Sequence, residues 1–398
     1  MKAQGLRFRA LASAGALVLL ALGTGPALAA APGPAAAPAR TLQYQVVDLG
    51  TLGGSNSSAS AIDGDTVVGT SNTTGNTTTH AFTYDLRTRA LTDLGGLLGS
   101  SGATGVSGGV VLGTTSSPDH SVTHGFAYDL RTHRTTDLGT LGGSFSSAAA
   151  VVGHTVVGTS GLAGDQATHV FTYDLLNGRR TDLGSLTGPT GTSYLGGVGG
   201  HLVVGYSPLP GSPDLNHAFS YDLLTHRTTD LGTLGTTKLL DVSGFDGRTI
   251  VGQSDATGVT GFAYDLPTGT RTDLGTSLKV HPMVSGRTVV AGDGLLERTF
   301  DLRTHRTTIV GPGNGVTQVN AVHGNQLVGD DFAVNSFAFS YRIDTAAYTT
   351  LSALGGLNST ADDSGRTGVV VGSAATTPPD PRTADGPYHA AVWIPHFG

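Results

Sequence analysis

Five histidines occupy the same place in a phrase that the chain repeats, and histidine is the commonest metal ligand in proteins. They are His80, His124, His169, His217 and His389. Zinc needs ligands that converge on one point, whereas equivalent positions of successive repeats in a closed array would lie around a ring. We therefore predict that these histidines pack and hydrogen-bond between neighbouring repeats, and we assign no metal ligand.

Two pairs of adjacent acidic residues, Asp330-Asp331 and Asp362-Asp363, are the other side chains that could do chemistry. Paired carboxylates bind calcium or act as general acid and base. Glycoside hydrolysis usually needs two carboxylates, and because Glu297 is the only glutamate, such a pair would have to consist of aspartates. Adjacent aspartates are also typical of solvated loops and turns, and this is the prediction we favour for both pairs.

The other motifs of catalytic proteins are absent or misplaced. Residues 105–109 match Gly-x-Ser-x-Gly, but they fall on a hairpin rather than on a strand-to-helix elbow, so we regard the match as chance. No lysine follows a glycine as in a phosphate-binding loop, Glu297 has no flanking histidines, and the chain has no cysteine. A propeller with a quinone cofactor would be expected to carry many tryptophans, and this chain has only Trp393. We therefore predict no catalytic, cofactor-binding or metal-binding residue and no cofactor, and we leave the binding residues unassigned.

The composition favours strands and argues against nucleic acid as a partner. The 398 residues include 22 Lys+Arg and 29 Asp+Glu, which gives a net charge of −7. An acidic chain without a basic cluster does not attract nucleic acid or anionic lipid. Residues that favour helix interiors are scarce, with two methionines and one glutamate, whereas glycine, valine and threonine are abundant. We therefore predict an all-β protein.

The N-terminal segment has the pattern of a secretory signal peptide. Lys2, Arg7 and Arg9 precede an apolar run over residues 10–22, and small residues follow up to Ala29. We predict a signal peptide over residues 1–29, a flexible Ala/Pro linker over 30–42 and a single domain over 43–398. Because the apolar run is shorter than the roughly 20 residues of a membrane span, we expect a secreted, extracellular protein that is not inserted in the membrane after signal cleavage.

A phrase made of an aromatic strand, a turn and a second strand recurs about every 44 residues, a period typical of arrays of small sheets. Each repeat holds four short strand-like segments, and a glycine between the first two fits a hairpin turn. The aspartates after the aromatic strand and those of the Asp-Leu-Gly motif are predicted to accept backbone hydrogen bonds in turns. They are Asp85, Asp129, Asp174, Asp222, Asp265 and Asp301, and Asp48, Asp93, Asp137, Asp182, Asp230 and Asp273.

The order of the chain ends indicates how the repeats close. The folded part begins with a fourth strand (residues 43–50) and finishes with a third strand (residues 389–394), so the N-terminal segment could complete the last sheet. Closure of this kind removes exposed sheet edges. We therefore predict a β-propeller of eight four-stranded blades closed by the N-terminal strand. Seven blades remain an alternative because the repeats around Phe300 and Thr350 are degraded, and a β-solenoid is a second alternative.

Two motifs resemble the bacterial extracellular HAF-repeat family. They are His-Ala-Phe at residues 80–82 and 217–219, and Asp-Leu-Gly-Thr-Leu-Gly-Gly at residues 48–54 and 137–143. The resemblance spans about residues 43–394 and implies an extracellular repeat protein without a particular activity, because the family is defined by its repeat. Tyrosine mostly replaces the expected tryptophan, which remains at Trp393. The order of a Gly-ended strand before an aromatic strand is also similar to kelch repeats and implies a kelch-like β-propeller.

With no catalytic set in view, we expect a monomeric, non-enzymatic binding module for an extracellular protein or glycan. The loops between second and third strands vary most in length, and the long ones at residues 206–216 and 373–388 are the candidate contacts. The alternative is a propeller hydrolase or lyase that acts on an extracellular polysaccharide, which convergence of Asp241, Asp330, Asp331 or Asp362 would support. A purely structural surface protein is a third hypothesis.

Overall fold

The computed structural model describes residues 42–209, 212–255, 258–311, 316–332, 336–378 and 386–397. The predicted signal peptide (residues 1–29) and all but the last residue of the predicted linker (residues 30–42) lie outside the described residues. Of the described part, no helix has the length and apolar character that would let it cross a membrane.

The described residues form strands almost throughout, with one short 3-10 helix at Thr74–Asn76. The strands are β1 (Leu42–Gly50), β2 (Gly53–Asp63), β3 (Thr66–Thr73), β4 (Thr79–Asp85), β5 (Ala90–Asp93), β6 (Ser100–Ser107), β7 (Val110–Ser116), β8 (Thr123–Asp129), β9 (Arg134–Gly139), β10 (Gly142–Val152), β11 (Thr155–Leu162), β12 (Thr168–Asp174), β13 (Arg180–Asp182), β14 (Tyr194–Gly199), β15 (Leu202–Leu209), β16 (Ser212–Asp222), β17 (Arg227–Gly232), β18 (Leu239–Phe245), β19 (Thr249–Asp255), β20 (Val259–Asp265), β21 (Thr270–Gly275), β22 (Val280–Ser285), β23 (Thr288–Gly292), β24 (Glu297–Asp301), β25 (Thr307–Ile309), β26 (Thr317–His323), β27 (Gln326–Asp331), β28 (Phe337–Arg342), β29 (Ala347–Leu351), β30 (Ser359–Ser364), β31 (Val370–Ala375) and β32 (Tyr388–Phe397). This confirms the all-β prediction.

Strands that follow one another in the chain pair antiparallel in groups of four. The groups β2–β5, β22–β25 and β26–β29 are separate four-stranded sheets, and the fourth such sheet has the order β1-β32-β31-β30. Two eight-stranded sheets cover β6–β13 and β14–β21, and in each the two halves are joined by one bridge, Phe145 to Thr123 and Asn216 to Leu239. Successive small antiparallel sheets packed on one another are the arrangement of a β-propeller.

The core lies between sheets, because adjacent residues of one strand point to opposite faces. Val67 of β3 packs with Phe82, Val371 and Val392, which places it against the sheet that contains both chain ends. Its neighbour Val68 packs on the other side, in a cluster with Phe126. The Val67-Val68 pair of β3 therefore packs its sheet against both neighbouring sheets.

A serine hydroxyl at the start of a sheet's first strand ties that sheet to the preceding one. Ser101 Oγ donates to the carbonyl oxygen of Gly95 (2.5 Å) and accepts from the amide of Ala81 (2.9 Å). Ser57 makes the same two bonds, to Gly50 O (2.6 Å) and from Ala390 N (2.8 Å). Ser146 and Ser359 repeat the arrangement. We call this arrangement the serine joint.

We predict that Ser101→Ala lowers the free energy of unfolding by about 1–3 kcal/mol, because a buried carbonyl and a buried amide lose their partner. Ser107→Ala, at the exposed end of the same strand, is the matched control and should leave stability within about 0.5 kcal/mol. Urea denaturation of the three proteins measures both values. Equal stability of the two variants would contradict the role of the joint.

Candidate functional site

The repeated histidines form hydrogen bonds within one sheet. In each case Nδ1 of the histidine lies 2.8–3.0 Å from the aspartate of the Asp-Leu-Gly motif on the next strand of the sheet. The pairs are His80–Asp93, His124–Asp137, His169–Asp182, His217–Asp230 and His389–Asp48. The predicted hydrogen bonding is present, but the aspartate partner lies in the same sheet and not in the neighbouring repeat. The described residues contain no group of three or more side chains suited to hold a metal ion.

The turn aspartates accept backbone hydrogen bonds as predicted. Asp85 accepts from the amides of Arg87 (2.9 Å) and Thr88 (2.8 Å), and these bonds, above all that of Thr88, lower the pKa of Asp85. Asp93 accepts from the amide of Gly95 (2.7 Å), whose positive φ of 71° lets the chain turn there. These bonds give the turn aspartates a structural role.

Both acidic pairs lie in strands, so the prediction that they are solvated loop or turn residues is wrong. Asp330 and Asp331 end β27 and are 7% and 9% exposed. Asp362 and Asp363 lie in β30 and are half-buried. Pairs of adjacent aspartates read as polar turns in the sequence, but here the strand alternation sends the two members to different environments.

Among Asp241, Asp330, Asp331 and Asp362, the charge of Asp330 contributes to the raised pKa of Asp362, whereas Asp241 and Asp331 are not among its causes. Asp331 accepts a hydrogen bond from Tyr348 Oη (2.9 Å). Asp241 in β18 accepts from the amide of Gln253 (3.0 Å) and has neither Asp330 nor Asp362 among the groups that affect its pKa. The charge of Asp363, the neighbour of Asp362 in β30, also raises the pKa of Asp362. We call Asp330, Asp362 and Asp363 the carboxylate cluster.

A hydrogen-bond network positions Asp330 between β27 and β30. Its Oδ1 accepts from the amide of Ala361 (3.0 Å) and its Oδ2 accepts from Asn320 Nδ2 (2.9 Å). The same Asn320 amide donates to the carbonyl oxygen of Ala361 (2.8 Å). Both oxygens of Asp330 are thereby occupied, and burial raises its pKa although the Asn320 and Ala361 bonds oppose the change.

Asp363 is bound to two other sheets. Its Oδ2 accepts from the amide of Ile62 in β2 (3.1 Å), and its Oδ1 lies 3.3 Å from Nδ1 of His323 at the end of β26. Burial raises the pKa of Asp363, and the nearby His323 is the main opposing influence.

Asp362 is the member of the cluster that is open to a ligand. It is the extra residue of a β-bulge, since the pairing of β30 with β31 shifts between Ala361 and Asp363. Among the described residues, no hydrogen-bond donor reaches its carboxyl group. Burial, followed by the charges of Asp330 and Asp363, raises the pKa of Asp362 to about 7. A carboxyl group that exchanges its proton near neutral pH, beside two further carboxyl groups, is equipped for general acid and base catalysis.

Asn320 and His323, which sequence reasoning missed, complete the site. The pairing of β26 with β27 shifts between Val319 and Ala321, so Asn320 is the extra residue of its strand as Asp362 is of β30. The corresponding bulge residues of two earlier repeats are the small side chains Ser60 and Thr104. Comparison of the repeats position by position would have singled out Asn320 and Asp362 as departures.

Glu297, outside the carboxylate cluster, also has a pKa raised to about 7. Burial, then the charge of Asp293, raises the pKa of Glu297 to about 7, and Arg298 opposes the change. Arg298 forms an ion pair with Asp293 (2.9 Å). Glu297 has no second raised carboxyl group among the influences on its pKa, so it lacks the pairing that distinguishes the carboxylate cluster.

The predicted contact loops are shorter than expected. Within residues 206–216, β15 and β16 continue to pair as far as Leu209 with Ser212, so this segment is a long hairpin. Within residues 373–388, β31 and β32 pair as far as Ala375 with Tyr388. Residues 210–211 of the first predicted loop and residues 379–385 of the second lie outside the described residues.

The comparisons with known proteins identify relatives in fold alone. No protein-family model and no curated protein matches the chain. A solved prolyl endopeptidase matches with a TM-score of 0.56 and 11% identity, over 75% of this chain and 50% of its own. A puromycin hydrolase matches with a TM-score of 0.52 and 11% identity, over 82% of this chain and 59% of its own. Dipeptidyl peptidase 4 of Porphyromonas gingivalis matches with a TM-score of 0.51 and 10% identity, over 83% of this chain and 57% of its own. The chain therefore spans only about half the length of these proteins.

These likenesses correct the functional expectation. At 10–11% identity they establish the fold and no activity. The three similar proteins are enzymes, however, so these likenesses oppose the preference for a non-enzymatic binding module and favour its alternative, a hydrolase or lyase. The convergence of Asp330 and Asp362, which would have supported the alternative of a hydrolase or lyase, points the same way.

We predict that Asp362 makes stability depend on pH. Its folded pKa is above the unfolded value, so the folded state binds more protons and stability falls as pH rises from about 4 to 7. Asp362→Asn should therefore gain stability relative to the unchanged chain between pH 5 and pH 8, by on the order of 2 kcal/mol. Asp119, whose pKa Ser117 and Ser121 lower to about 2, is the control. It is ionised at both pH values, so the effect of Asp119→Asn should be equal at each; urea denaturation measures the differences.

Proposed function

We propose that this chain is a hydrolase of extracellular polysaccharide in which the carboxylate cluster supplies the acid and the base. The observation that carries the proposal is Asp362, a carboxyl group without a hydrogen-bond donor whose pKa is raised to about 7 beside Asp330 and Asp363. A general acid works best when its pKa lies near the pH of use. Glycosidic bonds are cleaved by two carboxyl groups of which one carries a proton.

The three carboxyl groups have different parts in this proposal. Protonated Asp362 donates its proton to the glycosidic oxygen as the bond from that oxygen to the anomeric carbon breaks. Asp363 accepts a proton from the water whose oxygen bonds to the anomeric carbon. Asp330 does not touch the substrate, because it is only 7% exposed whereas Asp363 is half-buried. The charge of Asp330 helps to keep Asp362 protonated.

Peptide hydrolysis is a second candidate, favoured by the fold likeness to a prolyl endopeptidase and to dipeptidyl peptidase 4. Two carboxyl groups that share a proton also cleave peptide bonds in aspartic proteases. The chain corresponds to 50–57% of these two peptidases. The assay below therefore includes peptides.

The same proposal includes eight blades and a closed ring. Its support is the set of four-strand groups, of which β30, β31, β32 and β1 form one that joins both ends of the chain. The serine joint made by Ser57 supports closure as well, since it ties this sheet to β2 as the other joints tie their sheets.

Secretion and membership of the HAF-repeat family belong to the proposal too. Their support is the signal-peptide pattern of residues 1–29 and the repeated motifs at residues 48–54 and 137–143. An extracellular polysaccharide is a substrate class consistent with secretion.

We predict that Asp362→Asn lowers the rate of sugar release by about 10²–10⁴-fold, because the proton donor is lost. Purified residues 30–398 are incubated with cell-wall polysaccharide fractions and, in parallel, with a peptide library. Reducing sugar and free amines are both measured. The rate of the unchanged chain should fall above pH 7 as Asp362 loses its proton.

Asp119→Asn is the control for this assay and should keep full activity. Sugar release by Asp362→Asn at the rate of the unchanged chain would refute the role of Asp362. Release of amines without sugar would replace the glycosidase proposal by the peptidase one. Release of neither would overturn both.

We predict that Gln45→Cys with Ile394→Cys forms a disulfide within one molecule. The two residues are directly paired in β1 and β32, a distance that a disulfide can bridge, and the natural chain has no other cysteine. The bond should raise Tm, since it closes almost the whole folded chain. Gln45→Cys with His396→Cys, displaced by two residues, should not form the bond. Non-reducing electrophoresis distinguishes the pairs, and a chain that forms neither or both would contradict closure by β1.

A further inference from the structure

Two adjoining cavities form a groove along the hairpin turns of three neighbouring sheets. One has a volume of about 590 Å³ and the other about 470 Å³, and Gly324 and Asn325 line both. The lining comes from the β22–β23, β26–β27 and β30–β31 turns and from the adjacent strands. We call it the hairpin groove. Its size is that of a site for a small ligand or a short oligomer.

The groove is an enlarged form of a cleft that recurs between other sheets. The cleft beside β7 and β8 is lined by Val110, Ala127 and Arg134 and measures about 170 Å³. In the larger cavity the corresponding positions hold Thr288, Thr299 and Arg306. The cleft beside β11 and β12 has threonines at the first two of these positions as well, Thr155 and Thr172, and measures only about 90 Å³. The copy at β22–β25 is therefore distinguished by its volume.

The charges of the groove favour an anion, although the whole chain is acidic. Arg287 is paired with Asp301 (3.0 Å), and Arg342 with Asp344 (3.3 Å). Arg306 and Arg366 line the groove as well, and among the described residues neither has a carboxylate partner. An exposed guanidinium without a carboxylate beside it is suited to bind the carboxylate of a ligand through two parallel hydrogen bonds.

The remaining lining favours a polyhydroxyl ligand over a peptide. Hydroxyl and amide groups such as those of Thr288, Thr308 and Asn325 predominate in the larger cavity, and Ile343 is its one apolar side chain beyond glycine. A peptide site needs pockets for apolar side chains, whereas sugar hydroxyls need hydrogen-bond partners of this kind.

The groove reaches the carboxylate cluster through His323. This side chain lines the smaller cavity and its Nδ1 lies 3.3 Å from Asp363 Oδ1. A chain molecule bound along the groove would therefore pass next to the groups that the proposed function makes catalytic.

We propose that the hairpin groove binds an acidic polysaccharide, with Arg306 and Arg366 each holding the carboxylate of a uronate residue. That this bound polysaccharide is the substrate rests on the proposed function; the binding itself does not. The substrate class is then a polyuronate rather than a neutral glycan.

The test compares sugars that differ only in charge. Oligomers of mannuronate and of galacturonate are titrated into residues 30–398 by calorimetry, beside neutral mannan and galactan oligomers of equal length. At least one uronate oligomer should bind at least about tenfold more tightly than its neutral counterpart, and the preference should weaken as salt is added. Arg306→Gln with Arg366→Gln should remove the preference.

Arg131→Gln, an exposed turn arginine outside the groove, is the matched control and should bind as the unchanged chain does. No preference for either uronate, or a preference that survives the double substitution, would overturn the proposal. So would tighter binding of an oligoglutamate than of the uronates, because a peptide would then be the occupant.

Asp362→Asn separates this proposal from the proposed function. This variant should bind the uronate oligomer with unchanged affinity and fail to cleave it. If the unchanged chain binds uronate but cleaves nothing, the hydrolase fails and the groove stands. If the unchanged chain cleaves a neutral glycan and prefers no uronate, the proposal that the groove binds uronates is wrong and the hydrolase proposal stands.

Discussion

The structure depends on the serine joint, the hydroxyl group that satisfies one carbonyl and one amide of the preceding sheet. At the four contacts where the joint is present, loss of the hydroxyl would leave a backbone donor and acceptor unpaired, which costs about 1–3 kcal/mol for each group. The joint also fixes the position of the strand that carries the serine. Ser359 ties β30 to the sheet of β26–β29, and three residues later Asp362 lies beside Asp330. The carboxylate cluster is therefore a consequence of how two sheets are fastened together.

A repeated frame of this kind lets single positions change without loss of the fold. The bulge residue of the first strand is small in Ser60 and Thr104, and it is polar or acidic in Asn320 and Asp362. The three carboxyl groups cost stability, because burial keeps each from full solvation and the charges of Asp330 and Asp363 act against that of Asp362. The core between sheets, built from pairs such as Val67 and Val68, is what tolerates that cost. Residues that lower the stability of the fold in this way are typical of functional sites.

The local elements were predictable from sequence because their causes are local. A hairpin glycine such as Gly64, and a turn aspartate such as Asp85, act within a few residues of themselves. The cluster was not predictable in this way. Asp330 meets Asp362 only through the packing of two sheets, and an Asp-Asp pair reads as a turn when its strand is not recognised. The predicted location of the partner of His80 was wrong for a different reason. The hydrogen bond of His80 runs to Asp93 on the adjacent strand of the same sheet and not to a residue of the neighbouring sheet.

The proposed function requires that Asp362 of the carboxylate cluster holds its proton near neutral pH. The most direct measurement is the carboxyl ¹³C chemical shift of the aspartates as a function of pH, by NMR of protein labelled at the aspartate side chain. One resonance should titrate near pH 7 and should be missing from Asp362→Asn. If every aspartate instead titrates below about pH 5, as unperturbed carboxyl groups do, Asp362 is ionised at neutral pH and cannot be the acid.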